Sequence, residues 1–302
     1  TPTPTVTWTP TVTPTPLAVT VDRAWTADTA NAERMAFKAG EAMRMCVQVT
    51  NRGSAPLTAP YSWTVVGENG SPVATLSGSD RPTFAVGQTT SCRDGVVPAG
   101  VTWQQYQFTG TLAAATSVSG SSVMVFAGKL LVNETFTSPA SGWPVANNAS
   151  YAVGYVNGEY QILVKQAGLS LGWSGPGTKT GDMVVELDGR RTDDVNDQYG
   201  IMLGLSDDRT QWVAFHVTQD GAFQVVQWVG LDQSQLYPMT ASPALRLGTT
   251  PNHLMAMRQG ANVRVYANGQ ELARVTVPGL PSSATQGLAS QSWVANGDTR
   301  YD

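Results

Sequence analysis

Along most of the chain, apolar and polar residues alternate with a period of two. Leu17, Val19 and Val21 do so, then Met43, Met45, Val47 and Val49, then Tyr61, Trp63 and Val65. Successive side chains of an extended chain point to opposite faces, so each run predicts a strand with one buried face. The turn Gly67-Glu68-Asn69-Gly70 leads into a predicted strand Val73–Leu76, followed by Thr89–Arg93, the long run Trp103–Leu112, and Ser121–Ala127. About seven short strands in about 110 residues predict a β-sandwich.

After Lys129 the predicted strands lengthen. Tyr151–Tyr155 and Glu159–Val164 flank the hairpin signal Val156-Asn157-Gly158. Met183–Asp188, Tyr199–Leu205, Trp212–Val217, Ala222–Val229, Leu254–Gln259, Val263–Ala267, Glu271–Val277 and Gly287–Val294 follow, with a second hairpin turn at Asn268-Gly269. No segment carries a helical period, so the fold class expected is all-β. The expected division is an extended tail (1–16), one sandwich (17–128) and a second (129–302), joined at the very short Gly128-Lys129-Leu130. A joint that short is expected to hold the two sandwiches within a narrow range of angles.

The first sixteen residues, TPTPTVTWTPTVTPTP, break the pattern. Proline at positions 2, 4, 10, 14 and 16 excludes a helix and leaves polyproline II or an edge strand. Val6, Trp8 and Val12 fall on even positions, so an extended chain turns them to one side. One reading is a disordered or O-glycosylated stalk. The other is an assembly tail that docks on a neighbouring copy through Val6, Trp8 and Val12, with pairing centred on Thr5–Thr9.

Composition narrows the function classes. Only 13% of the 302 residues are charged and the net charge is −4, which gives no basic footprint for nucleic acid. No stretch reaches the roughly 18 apolar residues of a membrane span. Cys46 and Cys92 are the only cysteines; in a secreted chain a disulfide is the leading reading, the other being two buried free thiols. A metal site through them is disfavoured, because His216 and His253, the only histidines, fall in the second predicted sandwich. His216 is expected to be structural and His253 a loop residue. Asp193, Asp194 and Asp197 form the one weak calcium candidate, a solvated turn being the plainer reading. No phosphate-binding loop, dinucleotide fingerprint or Ser–His–Asp order is present, so no cofactor is expected. Trp143, Trp173, Trp212, Trp228 and Trp293 are candidates for sugar stacking, though core or interface roles account for most. Asn69-Gly70-Ser71, Asn133-Glu134-Thr135 and Asn148-Ala149-Ser150 match the glycosylation triplet.

The segment FKAGEAMRMCVQVTNRGSAPLTAPYSWTV resembles the immunoglobulin-like modules of bacterial surface proteins. Cys92 precedes the long Trp103–Leu112 strand, unlike the second cysteine of an antibody domain. The resemblance therefore implies that Cys92 and Cys46 lie on strands of one sheet. The run ETFTSPASGWP, then YVNGEYQI, DQYGIMLGLSDDRTQWVAFHVTQDGAFQVVQWV and NVRVYANGQELARV, resembles concanavalin A-like jelly rolls. These include the laminin-G-like and 3-keto-disaccharide-hydrolase-like domains. Glucanases of that fold carry E-x-D-x-x-E on one strand. Here Glu186-Leu187-Asp188 is followed by Gly189-Arg190-Arg191, so the second glutamate is missing and Glu186 and Asp188 are expected on a solvated face. Such domains also close on an apolar strand that is not found before Asp302, which leads to the expectation of an unfilled strand position. Together these features predict an extracellular, non-catalytic structural subunit that assembles with copies of itself through its tail. The alternative is a carbohydrate-binding module on surface glycans.

Overall fold

The computed structural model describes residues 18–101, 103–114, 116–175, 179–193 and 195–302. Val6, Trp8, Val12 and Asp194 lie outside the described residues. Every described element is a strand or a single 3-10 turn. The first ten strands are β1 (Val19–Ala27), β2 (Ala36–Lys38), β3 (Ala42–Asn51), β4 (Leu57–Thr58), β5 (Tyr61–Gly67), β6 (Gly78–Asp80), β7 (Thr83–Phe84), β8 (Gly87–Val96), β9 (Gln105–Ala113) and β10 (Ser117–Ala127). They form a three-stranded sheet, β1-β3-β8, and a five-stranded sheet, β2-β10-β9-β5-β6, with β4 and β7 paired separately. Met43, Met45, Val47 and Val49 of β3 are buried with Tyr61, Val65, Phe108 and Met124, as the alternation requires. The expected strand Val73–Leu76 is instead a 3-10 turn, Ala74–Leu76, and the next strand in the chain, β6 at Gly78–Asp80, pairs with β5. Cys46 and Cys92 are direct partners on β3 and β8 and are joined by a disulfide.

The remaining strands are β11 (Ala146–Asn147), β12 (Tyr151–Val156), β13 (Glu159–Val164), β14 (Leu169–Ser174), β15 (Met183–Arg191), β16 (Gln198–Leu205), β17 (Gln211–Thr218), β18 (Ala222–Val229), β19 (Asp232–Ala241), β20 (Asn252–Gln259), β21 (Asn262–Ala267), β22 (Gln270–Thr276), β23 (Thr285–Ser292) and β24 (Gly297–Tyr301). An eight-stranded sheet runs β11-β12-β13-β24-β15-β20-β21-β22, and a six-stranded sheet runs β14-β23-β16-β17-β18-β19. Between them lies a core that includes Tyr160, Ile162, Tyr199, Ile201, Val213, Phe215, Val225, Leu254, Val265 and Tyr301. The two sheets face each other in a jelly-roll-type sandwich.

The sequence left β24 out, taking the chain's last residues as the place where a strand was missing. Gly297–Tyr301 is itself a strand, held between β13 and β15 near the middle of the large sheet. His253, expected in a loop, is the second residue of β20 and is buried.

A third apolar cluster joins the two halves. Met35, just before β2, and Val123 and Val125 of β10 meet Met255, Met257 and Tyr266 on the outer face of the eight-stranded sheet. Polar contacts surround it: Tyr266 Oη donates to Gln105 Oε1 at 2.8 Å, Gln270 Nε2 to Ser121 O at 2.8 Å, and Arg246 Nη2 to Glu33 Oε2 at 2.8 Å.

Candidate functional site

The outer face of the six-stranded sheet is set by the same period of two that builds the core. Tyr199, Ile201, Val213, Phe215, Val217, Phe223 and Val225 point inward. Their neighbours Gln198, Met202, Trp212, Ala214, His216, Gln224, Val226 and Trp228 therefore point outward. Met202, Ala214, Val226 and Ala289 form an apolar floor there, with Leu205, Trp212 and Trp228 packed against it.

Two chemistries divide this face. At one end Trp212 and Trp228, direct partners on β17 and β18, stack with ring centroids 5.8 Å apart and planes 7° from parallel. Beside Leu205 opens a small polar cleft lined by Ser174, Lys179, Ser206, Asp207, Arg209 and Thr285, with Lys179 paired to Asp207. Further along the strands the face turns polar. His216 is opposite Gln224 on β18 and Gly200 on β16, while Gln198 is opposite Gln291 on β23. Gln224 Nε2 donates to Gln198 Oε1 at 2.8 Å. Both ring nitrogens of His216, Gln291 Oε1, Ser170 Oγ and Trp228 Nε1 are buried without a protein partner. Native interiors leave few such groups unmatched, and ordered water is their usual counterpart. Burial alone pushes the His216 imidazole down to about 4, so it is neutral at physiological pH and presents one donor and one acceptor.

The other predicted residues are distributed differently. Trp143 and Trp173 pack on the core, edge-on to Phe136 and Tyr151 respectively. Trp293, 58% exposed, lies just past the end of β23. Asp193 and Asp197 converge on the buried guanidinium of Arg191, and Asp197 Oδ1 also accepts from the Trp293 amide at 3.0 Å. Among the described residues no group of three or more His, Cys, Asp or Glu side chains is placed to hold a metal ion. No helix among them is long and apolar enough to cross a membrane.

Glu186 is not on a solvated face. Its carboxylate accepts from the Met35 and Ala36 amides at 2.9 and 3.0 Å and from Arg34 Nε at 3.2 Å, which fastens β2 onto the eight-stranded sheet. His253 stands between the two carboxylates, Nδ1 2.9 Å from Asp188 Oδ1 and Nε2 3.4 Å from Glu186 Oε2. Despite burial, these two anions push its imidazole up to about 10, and the contacts hold the Glu186 carboxyl below its usual range. Glu186 thus has a fastening role, and its oxygens are already occupied. The contact was invisible in the sequence because its partners lie about 150 residues away.

No family model matches the chain, and no curated protein matches it. Solved structures do. A Paenibacillus cycloisomaltooligosaccharide glucanotransferase, complexed with cycloisomaltoheptaose, aligns at 18% identity over 36% of this chain, with a TM-score of 0.30; the chain spans only 14% of that protein. The carbohydrate-binding module CBM66 from Bacillus subtilis aligns at 15% identity over 54% of this chain and 92% of its own, with a TM-score of 0.36. A native glycosidic hydrolase aligns at 11% identity over 57% of this chain and 95% of its own, with a TM-score of 0.42.

Proposed function

We propose that this chain is an extracellular, non-catalytic carbohydrate-binding protein whose glycan site is the outer face of the six-stranded sheet. The observation that carries the reading is the composition of that face. The stacked Trp212–Trp228 pair gives an apolar wall beside a polar cleft. A sugar ring has the same two-sided character: an apolar C–H face and a rim of hydroxyls that donate and accept. Sites for such ligands combine an apolar floor with a few placed polar groups. In this proposal residues 17–128 are an immunoglobulin-like spacer and residues 129–302 the binding jelly roll. The disulfide fits an oxidising compartment.

A glycan array probed with the intact chain tests the proposal, followed by titration of whichever glycan binds. Trp212→Ala and Trp228→Ala should each weaken binding by about 30-fold if these rings are binding hot spots. Glu186→Gln, on the opposite sheet, should leave it unchanged. An array without binding, or binding indifferent to both tryptophan changes, sinks the proposal.

A further inference from the structure

The two sheets of the jelly roll differ in charge. Among the described residues, the six strands of the smaller sheet hold a single Asp, Glu, Lys or Arg: Asp232, at the start of β19. In the larger sheet β15 alone carries Glu186, Asp188, Arg190 and Arg191. Side chains that face water are ordinarily rich in Lys, Arg, Asp and Glu. On the outer face of the smaller sheet the polar positions are filled instead by Ser170, Gln198, Gln224, Gln291 and a neutral His216. From β14 to β18 this face therefore carries no formal charge. Its border is negative. The turns at the Trp212–Trp228 end bring Asp207, Asp208 and Asp232 together with Lys179 and Arg209, and Lys179 is already paired to Asp207.

We infer that the glycan taken by this face is neutral, free of carboxylate, sulfate and phosphate groups. The inference rests on the reading of the face as the glycan site and narrows that reading to one ligand class. Two costs weigh against an anionic sugar. The first is desolvation. An anion laid on the face gives up water and meets no free cation on the strands, and an unpaired charge is far costlier to take out of water than a hydroxyl. Carboxylates and sulfates are recognised by arginine forks and lysines. Here Arg209 lines the polar cleft together with the Lys179–Asp207 pair, so the carboxylate beside it already offsets the positive charge. The second cost is a mismatch of hydrogen bonds. An ionised acid group only accepts, whereas a hydroxyl both donates and accepts. Gln291 Oε1 is a buried acceptor with no protein donor, and Gln198 Oε1 is already taken by Gln224 Nε2. A sugar hydroxyl can replace ordered water on such groups bond for bond; an acceptor-only anion cannot.

The test titrates the intact chain by calorimetry with matched probes. One set is neutral oligosaccharides of glucose, galactose, mannose and fructose; the other is the same oligosaccharides carrying uronic acid or sulfate groups. Each is measured at about 50 and about 500 mM NaCl, which spans weak and strong screening. At least one neutral probe should bind, and its acidic counterpart should bind at least about tenfold more weakly. The affinity of the neutral probe should change by less than about twofold with salt, because no charge pair is there to be screened. An acidic probe that binds as tightly as its neutral parent or more so, and loses affinity on Trp212→Ala, overturns this inference while upholding the face as a glycan site. So does a neutral-probe affinity that falls severalfold with salt and with Trp212→Ala. Absence of binding by every probe, or binding that ignores Trp212→Ala and Trp228→Ala alike, overturns both.

Discussion

His253 carries the clearest residue-scale consequence. Its charge is stabilised in the fold by Glu186 and Asp188 on β15, with Arg34 beyond Glu186 and Asp302 beside Asp188. A histidine whose folded value is raised from 6.5 to about 10 adds stability that is fully present below 6.5 and is lost as pH rises toward 10. Glu186, lowered from 4.5, adds stability present above 4.5 and lost as pH falls through its depressed folded value. His216 works in the other sense. Its folded value is lowered to about 4, so the fold weakens as pH falls from 6.5 toward 4. The thermal midpoint should therefore decline on both sides of about pH 6.5. His253→Gln should flatten the alkaline decline and keep the part of the acid decline that His216 carries, as differential scanning calorimetry across pH 4–10 would read. An alkaline slope unchanged in that variant contradicts the assignment. None of this was legible in the sequence, where His253 had no neighbour that marked it. What joins it to Glu186 and Asp188 is the register of β15 against β20.

At the scale of elements, the period of two was a dependable guide where one face is buried. Glu159–Val164 and Ala222–Val229 emerge with the boundaries the alternation implies. It failed where composition disguised the strand. β24, GDTRY, reads as a polar turn, yet Thr299 and Tyr301 are fully buried in mid-sheet. β19 contains Pro238, which its place at the sheet edge allows. The candidate glycan face was only partly legible: Trp212 and Trp228 stood out, but their pairing needed the β17–β18 register. The Asn268-Gly269 turn was legible as a hairpin, with both residues at positive φ, but not as a contact. Gly269 O accepts from Val123 N of β10, and a Cβ on Gly269 would lie 2.3 Å from Ser122 Oγ. Gly269→Ala should thus cost about 1–2 kcal/mol from its left-handed backbone alone. It should also raise hydrogen exchange in β10 at the contact. Protection unchanged at Val123 would show that the turn does not hold β10.

At the scale of the molecule, the cluster of Met35, Val123, Val125, Met255, Met257 and Tyr266 makes the two sandwiches neighbours with a shared interior. The short joint at Gly128–Leu130 limited their angle on paper; the cluster supplies an attractive contact as well. Small-angle scattering of the intact chain should fit one relative orientation. Met255→Lys combined with Glu186→Lys should broaden it to an ensemble, with both sandwiches still folded by circular dichroism. A wild-type curve that already requires a broad ensemble would show that the cluster does not bind the halves together. The disulfide should act more locally. It closes a segment with a sequence separation of 46 within the first sandwich, worth about 4 kcal/mol on the chain-entropy model.

The contact between the sandwiches has a mechanical corollary. Because the first sandwich occupies the outside of the eight-stranded sheet, it and the face proposed here for glycan binding are on opposite sides of the jelly roll. Tension between a ligand bound on that face and the first sandwich would cross the jelly roll perpendicular to its sheets, through about 10 Å of packed side chains. The load path then runs through side-chain contacts in the interior, with the backbone ladders lying across it.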